Sequence, residues 1–451
     1  MNIFLYSCGK SDTATSQTII QQDETKTTYI SKPVLMTYQQ EVSSDFDSSV
    51  TLLTTTTNGV FTFTKDDNNW TYNPDNSFTG KDEAYFQFDN SSDTFLKQFF
   101  FVVAPLTATP GIPDDTFYSL PTNEDNASKW WALRHINAFE VWNEGFTNCN
   151  TSSWGTADKP LRIGILDSGV DLDHPDLVNN LNTTLDKDFV NDDDNADDDY
   201  GHGTHVAGII AAQGNNSTGI AGVCWDAEIV AIKVLDDAGE GSLSDIIKGI
   251  DYANQNDIQI TNHSYGIAIT KSPDQWETYL FNEDQSMYPL STSIQNSADK
   301  GFLMFAASGN SGENNDELLM IPANYSKFIS NMISVGAVDP SNNLAYFSNY
   351  GTETVDIVAP GLEIMGTYIK KEDGDTDWTP IYSAQTGTSM STPILAGAAA
   401  MLWSIKPDAT AEQIRNALLT SGAANNYTGS DKIKSTTQLD LKAAVDAINS
   451  I

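Results

Sequence analysis

Three short stretches of the chain carry residue types that could cooperate in acyl transfer. In the first, the apolar run Ile163-Gly164-Ile165-Leu166 ends in Asp167-Ser168-Gly169, and Asp173-His174-Pro175-Asp176-Leu177 follows. A carboxylate just past a buried strand stands at the carboxyl edge of an α/β sheet, where such sheets hold their sites. Alone, the signal is weak, since an Asp before a glycine is usually a turn residue. The second stretch is Gly201-His202-Gly203-Thr204-His205-Val206-Ala207-Gly208. Its glycines allow close backbone approach to His202, and Val206 to Ala212 reads as a small-residue helix. Of the five histidines (His135, His174, His202, His205 and His263), two stand here. A zinc pair fits poorly, because no glutamate sits at metalloprotease spacing. The third stretch, Gly387-Thr388-Ser389-Met390-Ser391-Thr392-Pro393, runs into the apolar segment Ile394 to Trp403. Ser389 is expected at the start of a buried helix, where the helix dipole favours negative charge. Pro393 is read as a first-turn proline, which sets that register. A plain N-cap role for Ser389 would leave the rest of the stretch unexplained.

These groups need a scaffold to bring them together. The runs Ile163 to Leu166, Ile229 to Val234, Phe302 to Ala307, Ile333 to Val338 and Val355 to Ala359 lack alternation, as strands buried on both faces do. Helical segments lie between them: Asp245 to Asn254, with Ile246, Ile247, Ile250 and Ala253 at helical spacing, and Ser291 to Lys300. This alternation predicts an α/β fold, a parallel sheet covered by helices on both faces. Thr410-Ala411-Glu412-Gln413 signals a capping box, Gly422 a stop, and Asp440 to Ile448 a final amphipathic helix.

Taken together, the three stretches resemble the subtilisin family of serine proteases, the subtilases, in which the triad also runs Asp, His, Ser. The resemblance covers the chain from about Trp130 to Ile448. It implies that Ser389 attacks the scissile carbonyl, His202 takes and returns the proton, and Asp167 orients the imidazole. Within Phe305-Ala306-Ala307-Ser308-Gly309-Asn310, it makes Asn310 the side-chain oxyanion donor. His205 and His174 become packed structural residues.

The same resemblance implies a groove that takes peptide as an added strand. Its walls are Gly239, Glu240, Gly241 and Ser242 on one side and Ser264, Tyr265 and Gly266 on the other. Glu240 reads either as a solvated loop acid or as a charge facing the peptide. Ala307 and Gly309 wall the S1 pocket, and Met320 falls where a very small residue often forms its floor. That departure implies a shallow pocket and a smaller or flexible apolar P1 side chain. Ile267 to Pro289, with Trp276, Tyr279, Phe281 and Tyr288, is either a specificity loop or a surface insertion. Calcium is the expected cofactor, in a structural role. Residues 186 to 199 hold eight Asp and two Asn, hard oxygen donors that repel one another unless a cation intervenes. Asp188, Asn191 and Asp193 form one implied site; Asp176 and Asn216 form a second.

The first hundred residues read differently. Thr51 to Thr64, broken by Asn58-Gly59, and the later runs Ala84 to Phe88 and Phe99 to Val103 suggest short strands of a β-sandwich. The stretch GVFTFTKDDNNWTYNPDNSFTGKDEAYFQF resembles cadherin-like or bacterial Ig-like repeats. The expected organisation is a leader at 1–31, a β-sandwich at 32–105, a linker at 106–128 and the peptidase domain at 129–451. The opening Met1 to Gly9 either resembles the tail of a bacterial lipoprotein signal, with Cys8 as the lipid anchor, or is a disordered terminus with a chance cysteine.

Composition narrows the partners. With 61 acidic against 23 basic side chains and a formal charge of −38, the chain cannot neutralise a nucleic-acid backbone and is disfavoured at anionic lipid. No apolar run approaches the about 18 residues of a membrane-spanning helix. Cys8, Cys149 and Cys224 are too few and scattered for a disulfide scaffold or a cysteine zinc site. A secreted or cell-surface monomer acting on protein or peptide substrates is expected. Two alternatives stand beside it: a catalytically idle adhesive protein using the domain as a binding body, and a narrow-specificity processing protease.

Overall fold

The computed structural model describes residues 130–147, 149, 160–370, 379–422 and 427–451 with their side chains, together with Pro113, Asp115 and the backbone of eight strands before residue 105. The chain divides into two compact units. One comprises Met1–Lys10, Gly111–Ser119 and Ala132–Ile451; the other comprises Ser11–Pro110 and Leu120–Trp131.

The larger unit is built on seven parallel strands: β1 (Arg162–Asp167), β2 (Lys187–Asp188), β3 (Glu228–Lys233), β4 (Ile260–His263), β5 (Leu303–Ala307), β6 (Met332–Val338) and β7 (Ile357–Pro360). Their order is β2-β3-β1-β4-β5-β6-β7. The chain therefore builds outward from β1 in one direction and then, from β4, in the other. The carboxyl ends of β1 and β4 meet at this switch point, the place where open α/β sheets hold their ligands.

Both faces of the sheet are covered, as the unbroken apolar runs predict. Val230 and Ile232 pack with Ile246 and Ile250 of α2 (Leu243–Gln255) and with Leu290 and Ile294 of α3 (Tyr288–Asp299). Strand alternation turns Ile229 and Ala231 to the opposite face. Helices α1 (His202–Ala211) and α4 (Thr388–Ile405) pack together. Every residue of α1 and all but the last two of α4 are buried, which explains why both are apolar or small all round. Helix α5 (Ala411–Thr420) opens with the predicted capping box of Thr410 and Gln413, and α6 (Leu441–Asn449) is capped by Asp440.

The sequence reading missed β4. Three of its four residues, Ile-Thr-Asn-His, are polar, and their burial comes from neighbours on both sides rather than from apolar character. The segment after it is neither purely a loop nor a loose insertion: Trp276 and Leu280 of the short helix Trp276–Phe281 are fully buried in the cluster with α2 and α3. Cys149 and Cys224 form a disulfide with Cα atoms 5.7 Å apart.

In the smaller unit the backbone forms a four-stranded sheet, ordered Gln21–Tyr29, Thr94–Ala104, Gly80–Asp89, Ser49–Thr54, and a three-stranded sheet, ordered Val34–Thr37, Asn69–Pro74, Gly59–Thr64. Cys8 and nearly all of the expected linker at 106–128 lie outside the described residues.

Candidate active site

Asp167 is the last residue of β1 and is fully buried. Its Oδ1 accepts from the Ser168 backbone N–H at 2.8 Å and from His202 Nδ1 at 2.7 Å. His202 opens α1, and the helix can press against the end of β1 only because Gly203 follows. A Cβ there would stand 2.0 Å from the Gly169 carbonyl oxygen. Burial alone would lower the His202 pKa, but the Asp167 charge and hydrogen bond outweigh it and the net shift is upward. His202 Nε2 is buried and has no hydrogen-bond partner among the described residues.

Ser389 is the second residue of α4. Its Oγ donates to the Ser264 carbonyl at 2.9 Å, and Ser264 Oγ donates back to the Ser389 carbonyl at 2.8 Å. This pair corrects the first-turn reading of Pro393, which stands six residues into the helix. A proline there cannot bond the carbonyl four residues earlier, which belongs to Ser389. Ser264 supplies the missing donor, so the proline frees a carbonyl that fastens Ser389 to the strand after β4.

Asn310 follows β5. Its Oδ1 accepts from Thr388 N and Thr388 Oγ1, both at 2.8 Å, which turns the amide nitrogen away from Thr388.

The expected groove walls are both strands, Glu240–Ser242 and Tyr265–Ile269. Between them, antiparallel to each, runs Phe4–Ser7 of the same chain, a segment expected in the leader. Leu5 pairs with Gly241, Tyr6 with Glu240 and Gly266, and Ser7 with Tyr265. Tyr265 faces the groove with its backbone only. Its ring is buried, and its hydroxyl bonds His263 Nδ1 at 2.8 Å while His263 Nε2 meets Thr261 Oγ1 at 2.9 Å. Alternation along a strand turns this side chain into the core. Met320 lies between Gly309 and Gly266: a Cβ on the first would meet its Cε at 2.6 Å, one on the second its Sδ at 3.2 Å. Ala307 ends β5, buried, and Gly309 takes a φ of 109°. Gly239 turns the chain into the first wall with a φ of 73°.

The implied metal residues divide. Asp176 Oδ1 accepts from Asn216 Nδ2 at 2.7 Å and Oδ2 from Ile220 N at 2.9 Å. Asp115, which the sequence reading missed, accepts from the backbone N–H groups of Asn215 and Asn216. Both carboxylates are fully buried; burial, with the Asp115 charge adding, pushes Asp176 up to about 7. No lysine or arginine pairs with Asp176 among the described residues. Two buried carboxylates joined through Asn216 suit a hard cation, the charge that would offset both.

Asp188, Asn191 and Asp193 bond within their own loop. Asp188 accepts from Val190 N, Asn191 N and Asn191 Nδ2, and Asp193 Oδ1 from Asn195 N. No group of three acidic, histidine or cysteine side chains suited to a metal occurs among the described residues. The rest of the acidic run is spent individually: Asp194 pairs with Lys187, Asp199 with Lys233, and Asp186 accepts from Ala231 N.

His174 and His205 are packed, bonding the carbonyls of Ile381 and Ser383; burial pushes His205 down to about 3. Lys233 was also missed. Almost wholly buried, it donates to the carbonyls of Ser168 and Leu235 beside the groove.

Residues 158–436 match the family model described as the subtilase family. Subtilisin Savinase of Lederbergia lenta is 37% identical over 303 residues, covering 66% of this chain and 94% of its own length. An alkaline protease of Alkalihalobacillus alcalophilus is likewise 37% identical over 303 residues, 66% of this chain and 67% of its own. The thermophilic serine proteinase of Bacillus sp. (strain AK1) is 39% identical over 240 residues, 53% of this chain and 51% of its own.

Proposed function

The chain belongs to the subtilase family and is a serine endopeptidase, and from that premise we propose that Ser389 is its nucleophile, His202 its general base and acid, Asp167 the carboxylate that holds the imidazole, and Asn310 the side-chain oxyanion donor. The observation that carries this reading is the 2.7 Å bond from buried His202 Nδ1 to Asp167. With Nδ1 holding its proton there, Nε2 is left as the acceptor. The Ser389 hydroxyl turns from the Ser264 carbonyl toward Nε2, its Oγ bonds the scissile carbon, and the proton passes to His202 and then to the departing amine. Water repeats the sequence on the acyl-enzyme. The negative oxygen formed in each half meets the first-turn N–H groups of α4 and the Asn310 amide. The antiparallel seat of Phe4–Ser7 between Glu240–Ser242 and Tyr265–Ile269 supports an extended peptide in the same groove.

Met320 filling the space between Gly266 and Gly309 supports a preference for small P1 side chains. A peptide-library cleavage profile tests both parts of the reading. Wild type is expected to cut after small residues, and Met320→Gly to gain about 10–200-fold in kcat/KM for large apolar P1 over small, the range of a pocket reshaped by methylene-sized groups. No cleavage of any library member by folded protein would refute the catalytic assignment; an unchanged P1 profile in Met320→Gly would refute the pocket assignment.

Calcium is held, on this reading, by Asp115, Asp176 and Asn216, and it neutralises two buried carboxylates without entering the chemistry. Chelation is expected to lower the melting temperature by several degrees, through loss of a ligand that binds only the folded state. Asp176→Asn should make the protein insensitive to chelator. An unchanged melting temperature after verified metal removal would rule the site out.

The Cys149–Cys224 disulfide supports action outside the reducing cytoplasm, as a secreted or surface protein with Cys8 as its anchor. No helix among the described residues is long and apolar enough to cross a membrane. Residues 32–105, which hold six of the seven strands of the two small sheets, serve as a spacer module before the peptidase domain at 129–451.

A further inference from the structure

Four residues before His202 lies a carboxylate that the mechanism above does not use. Asp198 is almost wholly buried. Its Oδ1 accepts from Ser168 Oγ at 2.9 Å, Tyr200 N at 3.0 Å and Gly201 N at 2.8 Å. Its Oδ2 accepts from Thr204 N at 2.9 Å and Thr204 Oγ1 at 2.6 Å. Burial raises the Asp198 pKa and the bonds from Gly201, Thr204 and Tyr200 oppose that shift; five donors and no acceptor are aimed at its two oxygens, a setting that suits the ionised carboxylate. The donors come from two places. Ser168 directly follows Asp167, and its Oγ also accepts from Gly203 N at 3.0 Å. Tyr200, Gly201 and Thr204 surround His202 on the approach to α1 and in its first turn.

We propose that Asp198 is a positioning residue for catalysis: its carboxylate ties the backbone after Asp167 to the first turn of α1, and thereby sets the distance and angle at which His202 meets Asp167. The proposal rests on the triad assignment made above. Three features argue that it does more than fill space. First, all its bonds converge on the residues flanking the two members of one hydrogen-bonded pair. Second, Thr204 Oγ1 carries the connection on by accepting from Asp171 N at 2.9 Å, so the loop after β1 is held at a second point. Third, Lys233 Nζ donates to the Ser168 carbonyl at 2.7 Å and pairs with Asp199 at 2.6 Å, fixing the far side of the same turn. Asp198 also adds its field to that of Asp167 at His202. The other titratable neighbour of the ring is His205, kept neutral by burial, with Tyr368 stacked edge-on beyond it.

Asparagine is nearly isosteric, but its NH2 would face either the Thr204 donors or those of Ser168, Tyr200 and Gly201. Asp198→Asn should therefore rotate the first turn of α1 without emptying the site. Per active site, counted by stoichiometric labelling of Ser389 with an organophosphonate, the variant is expected to lose about 10²-fold in kcat, the scale of an ångström's misplacement, with KM little changed. The acid limb of its kcat/KM profile should move to lower pH, because one of the two charges raising His202 is gone. Thr204→Val should show the same kcat loss in milder form, and Thr204→Ser, which keeps the hydroxyl, should restore most of it. Wild-type kcat per labelled site with an unmoved acid limb in Asp198→Asn would overturn the proposal. So would a loss that merely tracks the unfolded fraction, since Asp198 would then hold the fold alone. Failure of wild type to label at Ser389 would instead overturn the triad assignment.

Discussion

Ser389→Ala is expected to lower kcat by about 10⁶, the loss recorded when subtilisin is deprived of its nucleophile, while the protein stays folded. The substitution removes one hydroxyl whose only described bond goes to the Ser264 carbonyl. A neutral bond of that kind contributes about 1 kcal/mol, so the melting temperature should fall by no more than a few degrees. The anchor in the opposite direction, from Ser264 Oγ to the Ser389 carbonyl, uses backbone and survives. Stoichiometric organophosphonate labelling followed by peptide mapping checks the assignment directly: wild type should carry the label on Ser389 and the variant none. Hydrolysis or labelling by the folded variant at wild-type level would mean that another residue is the nucleophile. Some turnover above water should remain, because Asn310 and the α4 N–H groups are left intact.

Asp167→Asn is expected to lower kcat by about 10⁴, the figure known for the matching substitution in a triad of this type. An asparagine amide presented to His202 Nδ1 favours the tautomer with its proton on Nε2, and the base is then facing Ser389 with the wrong atom. The pH dependence should change with it. His202 works as a base only when neutral, and in wild type its pKa is raised by Asp167 over the opposing effect of burial. The acid limb of wild-type kcat/KM is therefore expected above the ordinary histidine value of about 6.5, with activity lost as pH falls through it. Removing the Asp167 charge should shift that limb to lower pH. A variant with its acid limb unmoved would show that the limb belongs to a different group.

The fold was readable because it depends on short-range signals, and the Asp167 and His202 stretches, which the structure brings together, carry local ones too. Apolar runs such as Phe302 to Ala307 mark strands buried on two faces, and Gly203, directly after His202, lets the helix close on the Gly169 carbonyl. Where burial comes from neighbours instead of composition, the reading failed, as for the polar strand Ile260–His263. Pro393 shows a subtler limit. Its lack of an N–H was correctly weighed, but the rule that places proline in a first turn assumes that the freed carbonyl has no other donor, and here Ser264, 125 positions away, supplies one.

The acidic run at 186–199 shows the same division. Its composition alone supports repulsion relieved by a cation. In the folded chain most of its charges have separate tasks: Asp188 closes its own loop, Asp199 neutralises Lys233, and Asp198 ties Ser168 to the first turn of α1. The buried acid that does join Asp176 and Asn216 is Asp115, about a hundred positions before Asn216 and without a local signature.

Residue types, their order along the chain and the strand-helix alternation thus follow from the linear sequence, because helix and strand periodicities act between covalent near-neighbours. Which carboxylate meets which donor, whether Tyr265 lines a groove or fills the core, and that Met320 stands between two glycines are set by folding. Such pairings join segments dozens to more than a hundred residues apart, and chain entropy lets them form only when the sheet has brought their ends together.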